Sequence, residues 1–263
     1  MMKHNLRRNP VLAVALTVLA AAAASWPAPA AAQAAEPAVD PAATAALDSM
    51  GAYLRTLKAF HVEVATEREE VLDNGLKVQF DAVISLVARK PDRLRVDVSS
   101  DRQDRQFLYN GKEFTLWARR LNYYATVPAP PTINELASAL EEKFGIEFPL
   151  VDLFRWGTTG GSSARITAAV DLGPSSVGGT TCQHYAFRQE GLDWQIWIQL
   201  GDFPLPRKLV LTTTTDEARP QYQATYSWNL APSFNEDAFT FDPPADARRI
   251  VLAGSSPEAG ASK

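Results

Sequence analysis

Apolar and polar residues alternate through most of the chain, and the alternation predicts strands. Phe60–Val71 runs into Asp73-Asn74-Gly75, a tight-turn signal, and Leu76–Arg89 returns with Val78, Phe80, Ala82, Ile84, Leu86 and Ala88 on one face. Leu94, Val96 and Val98 alternate with Arg93, Arg95 and Asp97; Asn110-Gly111 joins Gln106–Tyr109 to Glu113–Ala118, and Tyr123–Val127 follows. Later, Thr181–Arg188 turns at Glu190-Gly191 into Leu192–Leu200, where Leu192, Trp194, Ile196, Ile198 and Leu200 share a face. Arg207–Thr215 and Gln221–Leu230 come next, the latter with Tyr222, Ala224, Tyr226, Trp228 and Leu230 on one side. A last short strand holds Phe239 and Phe241.

Two stretches have helical spacing instead. Leu47, Met50, Leu54 and Leu57 recur at steps of three and four behind Asp40 as cap and Pro41 in the first turn. Ile133, Leu136, Ala137, Leu140 and Phe144 form a second stripe, opened by the capping box Thr132-Ile133-Asn134-Glu135 and closed by Gly145. A short helix over Leu150–Trp156 and a flexible turn at Gly160-Gly161-Ser162-Ser163 follow. About ten strands with hairpin-length links predict a mainly β (α+β) chain. Such an antiparallel sheet is expected to curl into a barrel or half-barrel, with the helices burying their apolar stripes in its concavity. The aromatic inward set is compatible with a ligand cavity or with a filled core, and pattern alone leaves both open.

The first residues read differently. Lys3, Arg7 and Arg8 precede the apolar run Val11–Ala24, and small residues follow through Ala32-Gln33-Ala34. Basic start, short apolar run and A-x-A site predict a secretory signal peptide over 1–34, cleaved near Ala32 or Ala34. It contains no cysteine, so a lipid-attachment site is not expected. A linker over 35–41, one domain over 42–252 and a disordered tail over 253–263 complete the expected organisation. The mature chain is expected in a bacterial periplasm as a monomer, with no membrane span.

Charge sharpens this picture. The 263-residue chain has 26 basic and 30 acidic residues, net −4; without Lys3, Arg7 and Arg8 the balance is 23 against 30, or −7. Such a chain lacks the basic footprint of a nucleic-acid binder. Candidate chemistry is sparse. There are three histidines and one cysteine, with no nucleophile elbow, zinc-binding helix motif, phosphate loop or dinucleotide fingerprint. No metal or cofactor is expected. Cys182 and His184 point to one strand face and could pair as thiol and base, but neighbouring same-face positions are too far apart for a good hydrogen bond. Glu69-Glu70 and Glu141-Glu142 read as solvated faces.

Gly179-Thr180-Thr181-Cys182-Gln183-His184-Tyr185, Asp193-Trp194-Gln195-Ile196-Trp197-Ile198 and Pro204-Leu205-Pro206-Arg207-Lys208-Leu209-Val210 resemble a known family. It is an uncharacterised family of predicted periplasmic proteins, a domain of unknown function, placed with the LolA/LolB-like lipoprotein carriers. The order of elements agrees over roughly residues 42–250. The resemblance implies an unclosed antiparallel half-barrel wrapped around the N-terminal helix and a helical lid insert, with an apolar cavity, in a superfamily whose carriers hold acyl chains. The carriers' functional arginine and docking residues have no match here.

Together these features point to a non-catalytic binder or carrier of a hydrophobic ligand, a lipid or acyl chain, in lipoprotein or envelope lipid handling. The expected lining is Phe80, Ile84, Trp194, Ile196, Tyr222, Tyr226 and Trp228, with Leu136, Leu140 and Phe144 as a lid. One alternative is a protein-interaction or envelope-stress module with a filled core and an envelope protein partner. A second is an enzyme using Cys182 and His184.

Overall fold

A computed structural model describes residues 39–157 and 165–254. The expected signal peptide, most of the linker, the Gly160–Ser163 turn and the tail beyond Gly254 lie outside these residues.

The described chain is mainly β. Helix α1 (Pro41–Thr56) leads into β1 (Ala59–Val71), β2 (Lys77–Arg89), β3 (Arg93–Ser100), β4 (Asp104–Tyr109), β5 (Glu113–Ala118) and β6 (Tyr123–Pro128). Helices α2 (Ile133–Phe144) and α3 (Asp152–Arg155) follow. Then come β7 (Ala168–Val177), β8 (Thr180–Gln189), β9 (Leu192–Gln199), β10 (Pro206–Thr213), β11 (Gln221–Asn229) and β12 (Arg248–Arg249). All twelve described strands form one sheet, ordered β12-β6-β5-β4-β3-β2-β1-β11-β10-β9-β8-β7. Two antiparallel meanders, β1–β6 and β7–β11, are thus joined along β1 and β11, where Val62 faces Trp228 and Val64 faces Tyr226. The ends of the order do not pair, so the sheet is unclosed.

The local signals explain the elements. Asp40 accepts from the Ala42 N–H at 2.8 Å and caps α1, with Pro41 in its first turn. Thr132 accepts from the Glu135 N–H at 3.2 Å, but its hydroxyl donates to the Glu135 carboxylate at 3.0 Å. The expected box is therefore altered: Glu135 takes the hydroxyl rather than the Thr132 N–H. Gly145, at φ 61°, closes α2 in the left-handed region that suits glycine.

Alternation sends one face of the sheet inward. Phe60, Val62, Val64, Leu86, Leu94, Val96, Phe107 and Ile196 meet Met50 and Leu54 of α1, Leu136 and Leu140 of α2, and Phe154 of α3 in one continuous core. The sheet therefore wraps its helices, because each helix has one apolar stripe to bury. The outer face is polar over β1–β3 and is crossed by the chain after β11. There Glu236 pairs with Arg89 and Arg93, Phe239 is buried, and Phe241 packs between Trp117 and Tyr124.

Three elements differ from expectation. Phe239 ends a short 3-10 turn (Glu236–Phe239), capped by Asn235, rather than lying in a strand. Strand β7 was not legible, and neither was two-residue β12, which runs parallel to β6.

Gly51 fixes how closely α1 approaches the end of α3. A Cβ at Gly51 would lie 2.9 Å from Gly157 N and 3.0 Å from Gly157 Cα. Arg55, one turn on, donates to Trp156 O at 3.2 Å and to Gly157 O at 2.6 Å, pinning that backbone. In a free helix Gly→Ala gains about 1 kcal/mol. Here Gly51→Ala is expected to destabilise instead, by a net of about 1–2 kcal/mol, read as a lower urea midpoint at unchanged slope. A raised midpoint would show that the contact yields.

Candidate functional site

Where the inner faces of β8–β10 extend past the core, they meet α3 and the residues after it. A pocket of about 190 Å³ lies there, lined by Asp152, Trp156, Arg165, Gln189, Leu192, Trp194, Leu209 and Leu211. Its floor follows from register. Leu209 faces Ile196, Leu211 faces Trp194, and Phe187 faces Trp194 from the other side. Trp194 stacks on Phe187 with ring centroids 4.3 Å apart, which holds the indole in place.

Two polar atoms on the lining residues are buried beneath the pocket without partners. Trp194 is 5% exposed, and its buried Nε1 has no hydrogen-bond partner among the described residues. Gln189 Oε1 is buried and likewise unpartnered. Trp228 shows the ordinary arrangement, with its Nε1 donating to Pro206 O at 2.8 Å.

Asp152 keeps solvent access at the rim. Desolvation within the concavity nevertheless holds its carboxyl above the ordinary value of 3.8, with Glu147 reinforcing and Arg155 opposing. Tyr222, opposite Leu211, is pushed up to about 12 by burial, with Asp152 adding to it. Burial drives Tyr226 well above its ordinary value, again with Tyr222 and Asp152 contributing. A carboxyl raised in this way weakens the fold when ionised. That effect is absent below the ordinary aspartate value, grows as pH rises through it, and is complete above the folded-state value. Asp152→Asn is therefore expected to raise the melting temperature at pH 7 and leave it unchanged near about pH 3. Equal shifts at both pH values would refute the assignment.

The sequence-predicted lining residues all lie on the inner side, in different surroundings. Trp194 lines the pocket. Tyr222 is half-buried beside it, and Tyr226, 6% exposed, lies further along the same strand. Trp228 packs on Phe60, centroids 5.5 Å apart. Ile84, Ile196, Leu136 and Leu140 are buried in the continuous core, and Phe144 packs against it. Phe80 lies near the turn of the β1–β2 hairpin, with the Arg102 guanidinium 3.6 Å from its ring centroid. The pocket residues not anticipated are Asp152, Trp156, Arg165, Gln189, Leu192, Leu209 and Leu211. A lone acid in the otherwise apolar run Pro149–Phe154 was the one available signal for Asp152.

Cys182 and His184 do share a face, the outer one. Cys182 is 0% exposed and its thiol approaches Thr180 O at 3.5 Å; burial pushes the thiol up, against Arg207. His184 stacks on Trp197 at 3.9 Å, and its Nε2 lies 3.0 Å from Gln195 Oε1. Desolvation lowers its basicity. Each side chain is engaged elsewhere, and a raised thiol is a poor nucleophile. No cluster of His, Cys, Asp and Glu among the described residues could hold a metal ion.

The fold and this site define a sheet-wrapped, apolar-pocket protein. The chain belongs to the family described as "Predicted periplasmic protein (DUF2092)", whose model matches residues 43–253. No curated protein matches it. Among solved structures it is similar to an uncharacterized conserved protein from Thermus thermophilus, at 12% identity and TM-score 0.45, covering 80% of this chain and 99% of that one. It is also similar to the lipoprotein LppX of Mycobacterium tuberculosis, at 15% identity and TM-score 0.43, covering 74% and 100%. A LolA superfamily protein from Nitrosomonas europaea matches at 11% identity and TM-score 0.37, covering 76% and 97%. No described helix is long and apolar enough to cross a membrane.

Proposed function

We propose that the mature chain is a non-catalytic periplasmic binder of a small hydrophobic ligand, a lipid fragment or acyl segment, acting as a monomer in envelope lipid handling. Export by a signal peptide over 1–34, cleaved near Ala32 or Ala34, belongs to this reading. So does a single domain over 42–252 without a lipid anchor.

One observation carries the reading: the inner sheet face ends in an open pocket floored by Leu192, Trp194, Leu209 and Leu211 rather than in packed side chains. Interiors normally close such spaces, because lost contacts and exposed apolar surface cost stability. An apolar ligand would recover about 0.8 kcal/mol per buried CH₂. The size is also informative. A cavity of about 150 Å³ accepts one benzene, so about 190 Å³ suits one ring or a short chain segment. The engaged state of Cys182 and His184 supports binding over catalysis.

The test is native mass spectrometry of protein purified from the periplasm, before and after organic extraction, followed by titration of the extracted protein with 2-heptanone. An extractable adduct, or saturable uptake of one equivalent, is the expected result. A bare mass together with no uptake would overturn the reading.

A second reading draws on β7, the sheet's edge strand, where Val170 and Leu172 are 48% and 51% exposed. An envelope protein could add a strand there, although Gly173 and Pro174 interrupt the edge. Cross-linking from position 172 in intact cells distinguishes it: a defined protein adduct supports this reading, and none removes it.

A further inference from the structure

We infer that a second pocket, between the end of α1, the β2–β3 turn and the start of α2, binds the anionic head of an amphiphile, a carboxylate or phosphate group carrying an apolar chain. The inference goes beyond the pocket on β8–β10 and does not depend on it.

The space measures about 340 Å³ and is walled by Arg55, Lys90, Pro91, Ile133, Leu153 and Phe154. Backbone bonds frame it. Lys90 N donates to Lys58 O at 2.8 Å, and Ile133 N donates to Pro91 O at 2.9 Å. The β2–β3 turn is thereby tied both to the chain just past α1 and to the first residue of α2. Phe154 is fixed between Phe60 and Phe148, with ring centroids 5.9 Å and 6.3 Å away, so the apolar wall is rigid. The lining includes two cations and no acid.

Each cation has a structural duty that leaves donors over. Lys90 Nζ donates to Leu54 O at 2.8 Å and to Arg55 O at 3.4 Å, which caps the last turn of α1. Arg55 bonds Trp156 O and Gly157 O through Nη1 alone. One ammonium N–H and the N–H groups of Arg55 Nε and Nη2 remain. Arg55 is exposed and Lys90 half-buried, so a ligand reaches both. Neither has an ion-pair partner among the described residues. The acids closest in sequence to the lining are placed elsewhere. Asp92 pairs with Arg93 at 2.8 Å, the Glu135 carboxylate accepts the Thr132 hydroxyl, and Asp152 lines the pocket on β8–β10. Desolvation lowers the basicity of Lys90, and the Arg55 charge adds to that effect. Two cations that repel one another beside a low-dielectric wall make a local positive field in a chain that is otherwise acidic.

The two halves of the lining select together. A bare anion gains nothing from Ile133, Leu153 and Phe154, and a neutral chain gains nothing from the charges. A cationic amphiphile is repelled. A cavity of about 150 Å³ accepts one benzene, so about 340 Å³ takes a compact head with a chain of about eight carbons.

Titration calorimetry of extracted protein with octanoate, 1-octanol and acetate tests this. Octanoate is expected to bind roughly tenfold tighter than 1-octanol, because its head meets charged donors. It is expected to bind roughly fiftyfold tighter than acetate, for the burial of about three methylenes. Raising NaCl from about 20 to about 200 mM should at least halve its advantage over 1-octanol. Lys90→Gln and Arg55→Gln should each weaken octanoate roughly fivefold and leave 1-octanol within about twofold. Circular dichroism and the urea midpoint show whether each variant is folded; where one is not, the ligand ratios and salt dependence of the unmutated protein decide. Octyl phosphate, titrated in parallel, identifies the head: tighter binding than octanoate assigns a phosphate, weaker binding a carboxylate.

Equal affinity for octanoate and 1-octanol would overturn the inference, because the cations then serve the fold alone. Equal affinity for octanoate and acetate would overturn it as well, leaving an anion site without a chain. Folded variants that keep full octanoate affinity would place the anion elsewhere and would also overturn it. None of these outcomes touches the pocket on β8–β10, which 2-heptanone tests separately.

Discussion

Phe60→Ala is expected to destabilise the protein by about 3–5 kcal/mol, read as a shift of the urea midpoint at constant slope. Phe60 is 1% exposed on β1, the strand that joins the two meanders through β11. Its ring meets Trp228 at 5.5 Å and Phe154 of α3 at 5.9 Å. Removing it opens a cavity among two rings that cannot collapse without moving a helix. Phe80→Ala on the adjacent strand is the control. Phe80 is half-buried and lies under Arg102, so its loss should cost only about 1–2 kcal/mol. Similar losses at both positions would mean that burial on the inner face does not rank these sites. Phe60 also bears on the pocket: it anchors Phe154, and α3 positions Asp152 and Trp156 at the pocket rim. Phe60→Ala is therefore expected to loosen that rim as well as the fold.

Most of the sheet was legible because each strand buries one face, and alternation records that directly. Strand β7 was not, because its sequence, Ala-Ala-Val-Asp-Leu-Gly-Pro-Ser-Ser-Val, alternates poorly and slips register between Asp171 and Gly173. It is a strand because β8 offers it an edge. Strand β12 exists because the chain crossing the outer face ends beside β6. Phe239 and Phe241 carry a strand-like spacing, yet Asn235 accepts from the Ala238 N–H at 3.1 Å and starts a turn, leaving the rings to fill the outer face.

The pocket was legible only at Trp194. The periodicity that placed Trp194 inward placed Ile196 and Ile84 inward too, and they became solid core. What separates them is where α1, α2 and α3 stop covering the sheet, a tertiary property that no strand encodes. Leu209 and Leu211 lie on β10, and nothing local distinguishes them from core leucines. Gln189 illustrates the same limit. A glutamine at the end of a strand usually faces water, and nothing in the local sequence marks this one as lining a pocket.

Leu211→Trp separates a binding pocket from a packing flaw. Closed empty space costs about 24 cal/mol per Å³, so a pocket of about 190 Å³ would forfeit at most roughly 4–5 kcal/mol, less because it is open. Leu211 is half-buried and faces Trp194, so an indole at this position is expected to grow into the space above Leu209. If the space is a flaw, filling it is pure gain, and nothing else changes. If the space is the ligand's, stability is again kept or raised, but 2-heptanone loses the burial of about three methylenes. At about 0.8 kcal/mol each, that is a loss of roughly 50- to 100-fold. Opposite movement of stability and affinity marks a site retained for function against the stability it forfeits. Calorimetric titration beside a thermal melt reads both quantities on one preparation. Unchanged affinity in a stabilised variant would place the ligand elsewhere; reduced stability would show that the space is already needed by its neighbours.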